Sequence, residues 1–199
     1  MFKFIRVKKE DTALMNKIFR FRYKILCDEL KFFDKKMYPD GLEKDEYDKY
    51  AIEYVVLDEK SDVVATVRLI FNSPIGYPTQ NHMKIYEEIE KGFNKNSLGE
   101  ISRIFISKEY RNLKDTKKII KSLIEMIYLD LKKNNVEYSL GALELSFLRL
   151  LRIFGIKYEI IGELQHYGNK RYPCLLYTSV LEKYNPKLLK LWKEKKIDI

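Results

Sequence analysis

Residues 99–140 read GEISRIFISKEYRNLKDTKKIIKSLIEMIYLDLKKNNVEYSL, and the change of hydrophobic period along them decides the fold class. From Glu100 to Ile106 the pattern is that of a strand, with Glu100 and Ser102 on the same face as Ile104 and Ile106. From Lys114 to Lys133 the period changes, and Ile120, Leu123, Ile124, Ile127 and Leu131 recur at helical spacing. Val136 to Leu140 returns to a strand. Working outward, Phe2–Val7, Tyr54–Leu57, Val63–Phe71, Tyr158–Ile161 and Tyr172–Val180 read as strands, with Glu59–Asp62 as a hairpin turn. Glu10–Leu30 places Met15, Ile18, Phe19, Ile25 and Leu26 on one helical stripe, Met83–Lys91 fits a short helix, Leu143–Phe154 a helix ending at Gly155, and the C-terminus is helical. Asn72–Gln80 is a loop. Strands alternating with helices predict an α/β (α+β) sandwich, a mixed central sheet flanked by helices, in one domain over residues 1–199 with no repeat or linker.

Hydrophobic residues make up 46% of the 199 positions and are spread along the chain, which excludes a disordered protein. Every hydrophobic run is interrupted by Lys or Glu short of the ~20 apolar residues that cross a bilayer, so no transmembrane segment is expected, while peripheral membrane contact stays open. The two cysteines, Cys27 and Cys174, form no C-x-x-C pair, and the start Met1-Phe2-Lys3-Phe4-Ile5-Arg6 lacks the apolar core of a signal peptide; a reducing cytoplasm is implied. A net charge of +9 fits an acidic partner, whether nucleic acid, an anionic membrane or an acidic carrier protein, and equally a solvated lysine-rich surface.

Arg22 falls within the apolar stripe of the first helix, so it should point inward. An unpaired buried charge costs several kcal/mol, so the fold must supply carboxylates. Asp45 and Asp48, in the acidic run Glu43-Lys44-Asp45-Glu46-Tyr47-Asp48, would share a face in a helical turn and could both reach Arg22. A solvated turn is the plainer alternative, and the spacing of a calcium loop is missing, so no metal is expected. Arg68, with Thr66 on the strand face opposite Val67 and Leu69, is a second inward candidate: a helix packed over that face would leave it needing an acid or an anionic substrate group, and a solvent-facing arginine is the plainer alternative. Glu100, on the inward face of its strand, would have its pKa raised by apolar surroundings, as a general base for an amine requires; a structural ion pair with Arg22 or Arg68 is the alternative. Arg103 should project oppositely to Ser102 unless the strand bulges.

Arg22, then Glu43-Lys44-Asp45-Glu46-Tyr47-Asp48, then Val67-Arg68-Leu69, then Glu100-Ile101-Ser102-Arg103 occur in an order and spacing that resemble the acyl-homoserine-lactone (autoinducer) synthases. The segment Gly162–Pro173, with His166-Tyr167-Gly168 and Arg171-Tyr172-Pro173, looks like the exosortase-associated acyltransferases, and both families share the GNAT fold. The resemblance implies an N-acyltransferase of the GNAT type. Its acyl donor would be a phosphopantetheine thioester on acyl carrier protein or CoA, its acceptor a small-molecule amine, and no cofactor would be tightly bound. It further implies Glu100 as the base, Ser102 as an aid to proton transfer or positioning, and Arg22, Phe32, Asp45, Asp48, Arg68 and Arg103 as the acceptor pocket. Leu26 and Phe32 stand where autoinducer synthases usually carry phenylalanine and tryptophan, so an amino-acid acceptor, as in the related N-acyl amino-acid synthases, fits as well as S-adenosylmethionine.

A glycine-rich pyrophosphate loop is absent from Tyr110–Asp115. Instead Arg111, Lys114, Lys117, Lys118 and Lys121 crowd a helix with a basic first turn, where they and free N–H groups suit a phosphopantetheine phosphate or an acidic carrier; a solvated basic face is the alternative. Cys174 and His166 lack a third catalytic partner and are left as packing. Two rival classes remain: a basic nucleic-acid-binding module, disfavoured because its charges are scattered, and an acyl-carrier-sensing module without turnover.

Overall fold

The chain begins with strand β1 (Lys3–Arg6), and the side chain of Asp11 then starts helix α1 (Thr12–Tyr23) by accepting the backbone N–H of Leu14 at 3.0 Å. The computed structural model describes residues 1–197. Its Cα positions group into two units, Met1–Ile70 with Ile101–Leu123, and Phe71–Glu100 with the residues from Ile124 onward.

In the first unit α1 passes into a π-helical turn over Lys24–Glu29, where Leu30 N–H reaches the carbonyl of Ile25 at 2.9 Å. The expected helix over residues 10–30 is therefore realised as two helix types. The buried stripe runs through Ile18, Arg22, Ile25, Leu26 and Cys27. Met15 and Phe19 are half-buried and pack with Ile18, Val7, Val55 and Leu57. Strands β2 (Ala51–Leu57) and β3 (Val63–Phe71) form an antiparallel hairpin, and β1 pairs antiparallel with β2. The turn is set by Asp58, whose Oδ1 accepts the N–H groups of Lys60 and Asp62 at 2.9 and 3.0 Å. Every residue of β2 is buried, and the inner residues of β3 are too, so the Thr66–Arg68 face is covered and does not meet solvent. Register places Glu53 opposite Arg68. Strand β4 (Leu98–Ile106) neighbours β3, and its Ile101–Ile106 portion belongs to this unit.

The second unit holds Leu98–Glu100 of β4 and helices α2 (Pro78–His82), α3 (Glu87–Glu90) and the second half of α4 (Leu113–Lys133). Strand β5 (Tyr138–Leu143), helix α5 (Leu145–Ile153), strands β6 (Glu159–Ile160), β7 (Gln165–Tyr167) and β8 (Asn169–Tyr177), and helices α6 (Thr178–Tyr184) and α7 (Pro186–Ile197) complete it. Leu98–Glu100 pairs in parallel with Tyr138–Leu140, whereas β8 pairs antiparallel with β5, β6 and β7. The described pairings thus make a mixed, mostly antiparallel sheet, as expected. Several elements differ from the sequence expectation: the helix expected over Met83–Lys91 is confined to Glu87–Glu90, and the strand expected over Tyr172–Val180 ends at Tyr177, where α6 begins. Pro78–His82 forms a short helix inside the expected loop, with Pro78 at its first turn, where a missing N–H costs nothing. Residues 165–171 form a β7–β8 hairpin turning at Gly168 (φ 68°), which carries no run of apolar residues to announce it. Among the described residues no helix is long and apolar enough to cross a membrane.

Gly162 holds part of the second unit together by having no side chain. A Cβ there would lie 2.5 Å from the backbone oxygen of Lys84 and 2.7 Å from Cγ of Pro173, neither of which is a flexible side-chain end. Gly162→Ala is therefore expected to cost about 1–3 kcal/mol through overpacking, read as a melting-temperature drop of about 2–4 °C per kcal/mol. An unchanged melting temperature would mean that the Lys84–Gly162 approach is not tight.

Candidate functional site

In the first unit, three guanidinium groups and three carboxylates alternate in a closed ring. Arg22 Nε donates to Glu43, and Arg103 reaches Glu43 Oε1 from Nη2 at 2.7 Å. Arg103 Nη2 also donates to Asp45 Oδ2 at 2.9 Å, and Arg68 Nη1 donates to Asp45 Oδ1 and Asp48 Oδ1, each at 2.6 Å. Arg22 closes the circuit on Asp48, with Nη1 to Oδ1 at 2.9 Å and Nη2 to Oδ2 at 3.3 Å. Glu53 hangs on the outside of this ring, accepting only from Arg22 Nη1 at 3.1 Å among the hydrogen bonds described. Ser102 Oγ accepts from Arg68 Nε at 3.1 Å, so the serine hydroxyl keeps its own proton to donate.

Local chain chemistry sets these positions. Asp45 and Asp48 flank a 3₁₀ turn (Glu46–Tyr50) and cap it reciprocally: Asp45 accepts from Tyr47 N–H at 3.0 Å while Asp48 accepts from Asp45 N–H at 2.8 Å. The same two carboxylates therefore end a helix turn and face the arginines. Arg103 sits at φ +51°, a left-handed conformation that a non-glycine residue adopts only under constraint, and Thr66 Oγ1 donates to its carbonyl at 3.2 Å. That conformation lets consecutive residues Ser102 and Arg103 both join the ring, which an unbroken pleat would forbid.

The network grades from dry to wet. Arg22, Glu43 and Arg68 have fully buried side chains, whereas those of Asp48, Arg103 and Asp45 are 10%, 12% and 21% exposed. Burial opposes ionisation of Glu43, but Arg103 and Arg22 overcome it and hold the carboxyl down at about 2. Asp48 is likewise lowered, by Arg22 and Arg68 against burial. Burial disfavours the Arg22 and Arg68 cations, yet Asp48 with Glu43 and Asp45 leaves both pKa values raised. Glu53 goes the other way: burial dominates, Arg22 opposes it, and the carboxyl rises to about 7. Arg68 Nη2 and Glu53 Oε2 are buried without a hydrogen-bond partner.

Several expectations are refined by these contacts. The described partners of Arg22 are Glu43, Asp48 and Glu53, while Asp45 serves Arg68 and Arg103. The Phe33 ring lies over the Arg103 guanidinium, with its centroid 5.8 Å away. Phe32 packs edge-to-face on Phe33 with centroids 4.5 Å apart. Sequence reasoning missed Glu43 as a ring member although it opens the acidic run, and missed Glu53 because it lies in an apolar strand whose period marks it only as one more alternation.

Glu100 is described with the second unit. It is 1% exposed, its Oε2 accepts from the backbone N–H of Thr79 at 2.8 Å, and it is the last β4 residue paired with β5, opposite Leu140. Tyr77 and Tyr158 feel its charge; burial first, and Glu100 in addition, raise both phenols. Tyr77 itself donates to the carbonyl of Leu98. Cys174 is fully buried, and burial pushes its thiol up to about 12, which leaves no nucleophile there.

The expected donor-binding residues lie at the start of α4. Lys114, Lys117, Lys118 and Lys121 are exposed, with the Lys118 ammonium 5.4 Å from the Phe2 ring centroid. Arg111 is partly engaged, donating from Nε to the Ile106 carbonyl at 2.8 Å and from Nη2 to Glu29 at 3.5 Å. The first turn is less basic than expected, because it contains Asp115. Asn112 caps it by accepting from Asp115 N–H at 2.9 Å.

Comparison with solved structures shows the fold. The CoA-dependent acyl-homoserine lactone synthase BjaI, solved with SAM and isopentyl-CoA, matches with a TM-score of 0.72 at 17% identity over 94% of this chain and 89% of its own. TofI, in a complex with an inhibitor and MTA, matches at 0.69 and 14% identity over 92% and 96%. FeeM, an N-acyl amino acid synthase from uncultured soil microbes, matches at 0.60 and 14% identity over 92% and 93%. A search of curated protein sequences returns no match. The profile of the acetyltransferase (GNAT) domain matches residues 21–121, just over half of the 199 residues, and the chain therefore belongs to that family, whose chemistry is GNAT-type acyl transfer.

Proposed function

We propose that the chain is an N-acyltransferase that moves a fatty acyl group from a thioester, on acyl carrier protein or CoA, to the amine of a small acceptor. The observation that carries this reading is Glu100: a buried carboxylate on β4, two residues before Ser102, whose Oε2 accepts from the backbone N–H of Thr79. In this role Glu100 takes the proton from the acceptor nitrogen as that nitrogen forms the C–N bond. The C–S bond then breaks and the departing thiolate takes up a proton. Strand backbone N–H groups stabilise the oxyanion between these steps, at about 3 kcal/mol per donor. Ser102, with its hydroxyl proton free to donate, assists transfer or positioning.

The ring supplies the acceptor site. Its exposed edge offers Asp45 to an ammonium and Arg103 to a carboxylate, the two groups an amino acid or the amino-acid end of S-adenosylmethionine carries. The solved structures of BjaI with SAM and of the N-acyl amino acid synthase FeeM lend support to both acceptors. Lys114, Lys117, Lys118 and Lys121, exposed together, suit the phosphate of phosphopantetheine or an acidic carrier surface. Incubating the protein with long-chain acyl-CoA or acyl carrier thioesters and a panel of amino acids and S-adenosylmethionine, with mass spectrometry of products, is expected to yield an N-acyl adduct of one acceptor class. No adduct from any pairing, with intact binding of acyl carrier, would instead favour the sensing module.

A further inference from the structure

We infer that Glu53 is a positioning residue that works in its neutral, protonated form, leaving three carboxylates to face three guanidinium groups around the acceptor-binding edge. This rests on the ring being the acceptor site, as proposed above.

The connectivity singles Glu53 out. Glu43 is shared by Arg22 and Arg103, Asp45 by Arg103 and Arg68, and Asp48 by Arg68 and Arg22, so each ring carboxylate lies between two cations. Glu53 is a fourth acid against the same three cations; it receives one bond, and its Oε2 is buried with no partner. Leaving a carboxylate oxygen unpaired in the interior is far costlier when the group is ionised than when it is neutral. The charge most easily given up is thus the one the ring does not use. The groups that face Glu53 are Arg22 from α1, Asp48 from the 3₁₀ turn, Arg68 from β3 and Arg103 from β4, while Val7, just after β1, donates its N–H to the backbone carbonyl of Glu53. Burial raises its carboxyl to about 7 against the pull of Arg22.

Position gives this proton a role. Glu53 stands opposite Arg68 on the paired strands and already holds Arg22. Once ionised, it competes with Asp48 for both arginines that Asp48 shares. Loss of the proton therefore loosens the ring at Asp48, next to Asp45 and the exposed edge, and the acceptor site weakens as pH rises through neutrality.

The sign for stability follows from the raised pKa. An unfolded glutamate ionises near 4.3, so between there and about 7 the unfolded chain releases a proton that the native state keeps, and stability contributed by neutral Glu53 is lost as pH rises. Thermal melts of wild type and Glu53→Gln between pH 5 and 8 test this. Glutamine mimics the neutral acid, and the variant is expected to gain roughly 5–10 °C on the wild type across that range. Parallel curves would overturn the inference. Should the variant fail to fold, calorimetry of the wild type near pH 6 in buffers of different ionisation enthalpy decides: release of about one proton on unfolding is expected, and uptake or no exchange overturns it. The positioning role is read separately with S-adenosylmethionine or whichever amino acid turns over. Its KM is expected to climb above pH 7 in wild type and to stay level in Glu53→Gln, relative to kcat; equal profiles would reduce Glu53 to a packing residue. The melts use no substrate, so an absence of acyl transfer with the pH offset intact would count against the proposed function alone.

Discussion

Glu100→Gln is expected to slow acyl transfer by about 10²–10⁴-fold, the scale of losing a positioned general base, with the protein still folded. The amide keeps an oxygen that can accept from Thr79 N–H, so that hydrogen bond can persist while the basic carboxylate is removed. Because only the chemical step is touched, KM for the acceptor should change little and kcat should carry the loss. Circular dichroism and a melting curve matching the wild type complete the test. Wild-type turnover by this variant would remove Glu100 from the reaction and return it to a structural role.

Arg22→Ala is the substitution with the largest expected effect on stability, about 3–5 kcal/mol. The guanidinium makes hydrogen bonds from Nε, Nη1 and Nη2 to Glu43, Asp48 and Glu53, and its side chain is fully buried. Truncation leaves those carboxylates facing one another with only Arg68 and Arg103 to neutralise them, and adds a cavity next to Phe19, whose ring lies 5.2 Å from the guanidinium carbon. Arg22→Lys should recover part of the loss, because one ammonium restores the charge but not the planar fork. Chemical denaturation checks both, and an unaltered midpoint for Arg22→Ala would show that the ring does not support the fold.

Much of the architecture was legible because it depends on period. The 3.6-residue stripe of residues 113–133 and the alternation of residues 63–71 each correspond to the observed elements within a residue or two. The inward direction of Arg22 could be read from its neighbours Ile18, Ile25 and Leu26 alone, all of them buried. What escaped was set by backbone detail or by tertiary neighbours. Nothing in the letters of Lys24–Glu29 announces a π turn, and the positive φ of Arg103 comes from its surroundings, not from a glycine. Whether Asp45 or Glu43 meets Arg22 depends on where a 3₁₀ turn places two capping carboxylates, which spacing on an idealised helix misjudges. Glu53 is the plainest case: a charged residue in a buried strand is invisible to pattern until the facing arginine, Arg68, is known.

The two cysteines, both buried and both with raised thiol pKa values, bear on how the reaction can be followed. A disulfide reagent added to the native protein should meet neither sulfur, since the thiolate is the reacting form and each site suppresses it. Thiol freed from a donor thioester could then be titrated continuously without background from the enzyme. Full colour development, two equivalents per chain, would appear only after denaturant and would itself mark loss of the native state.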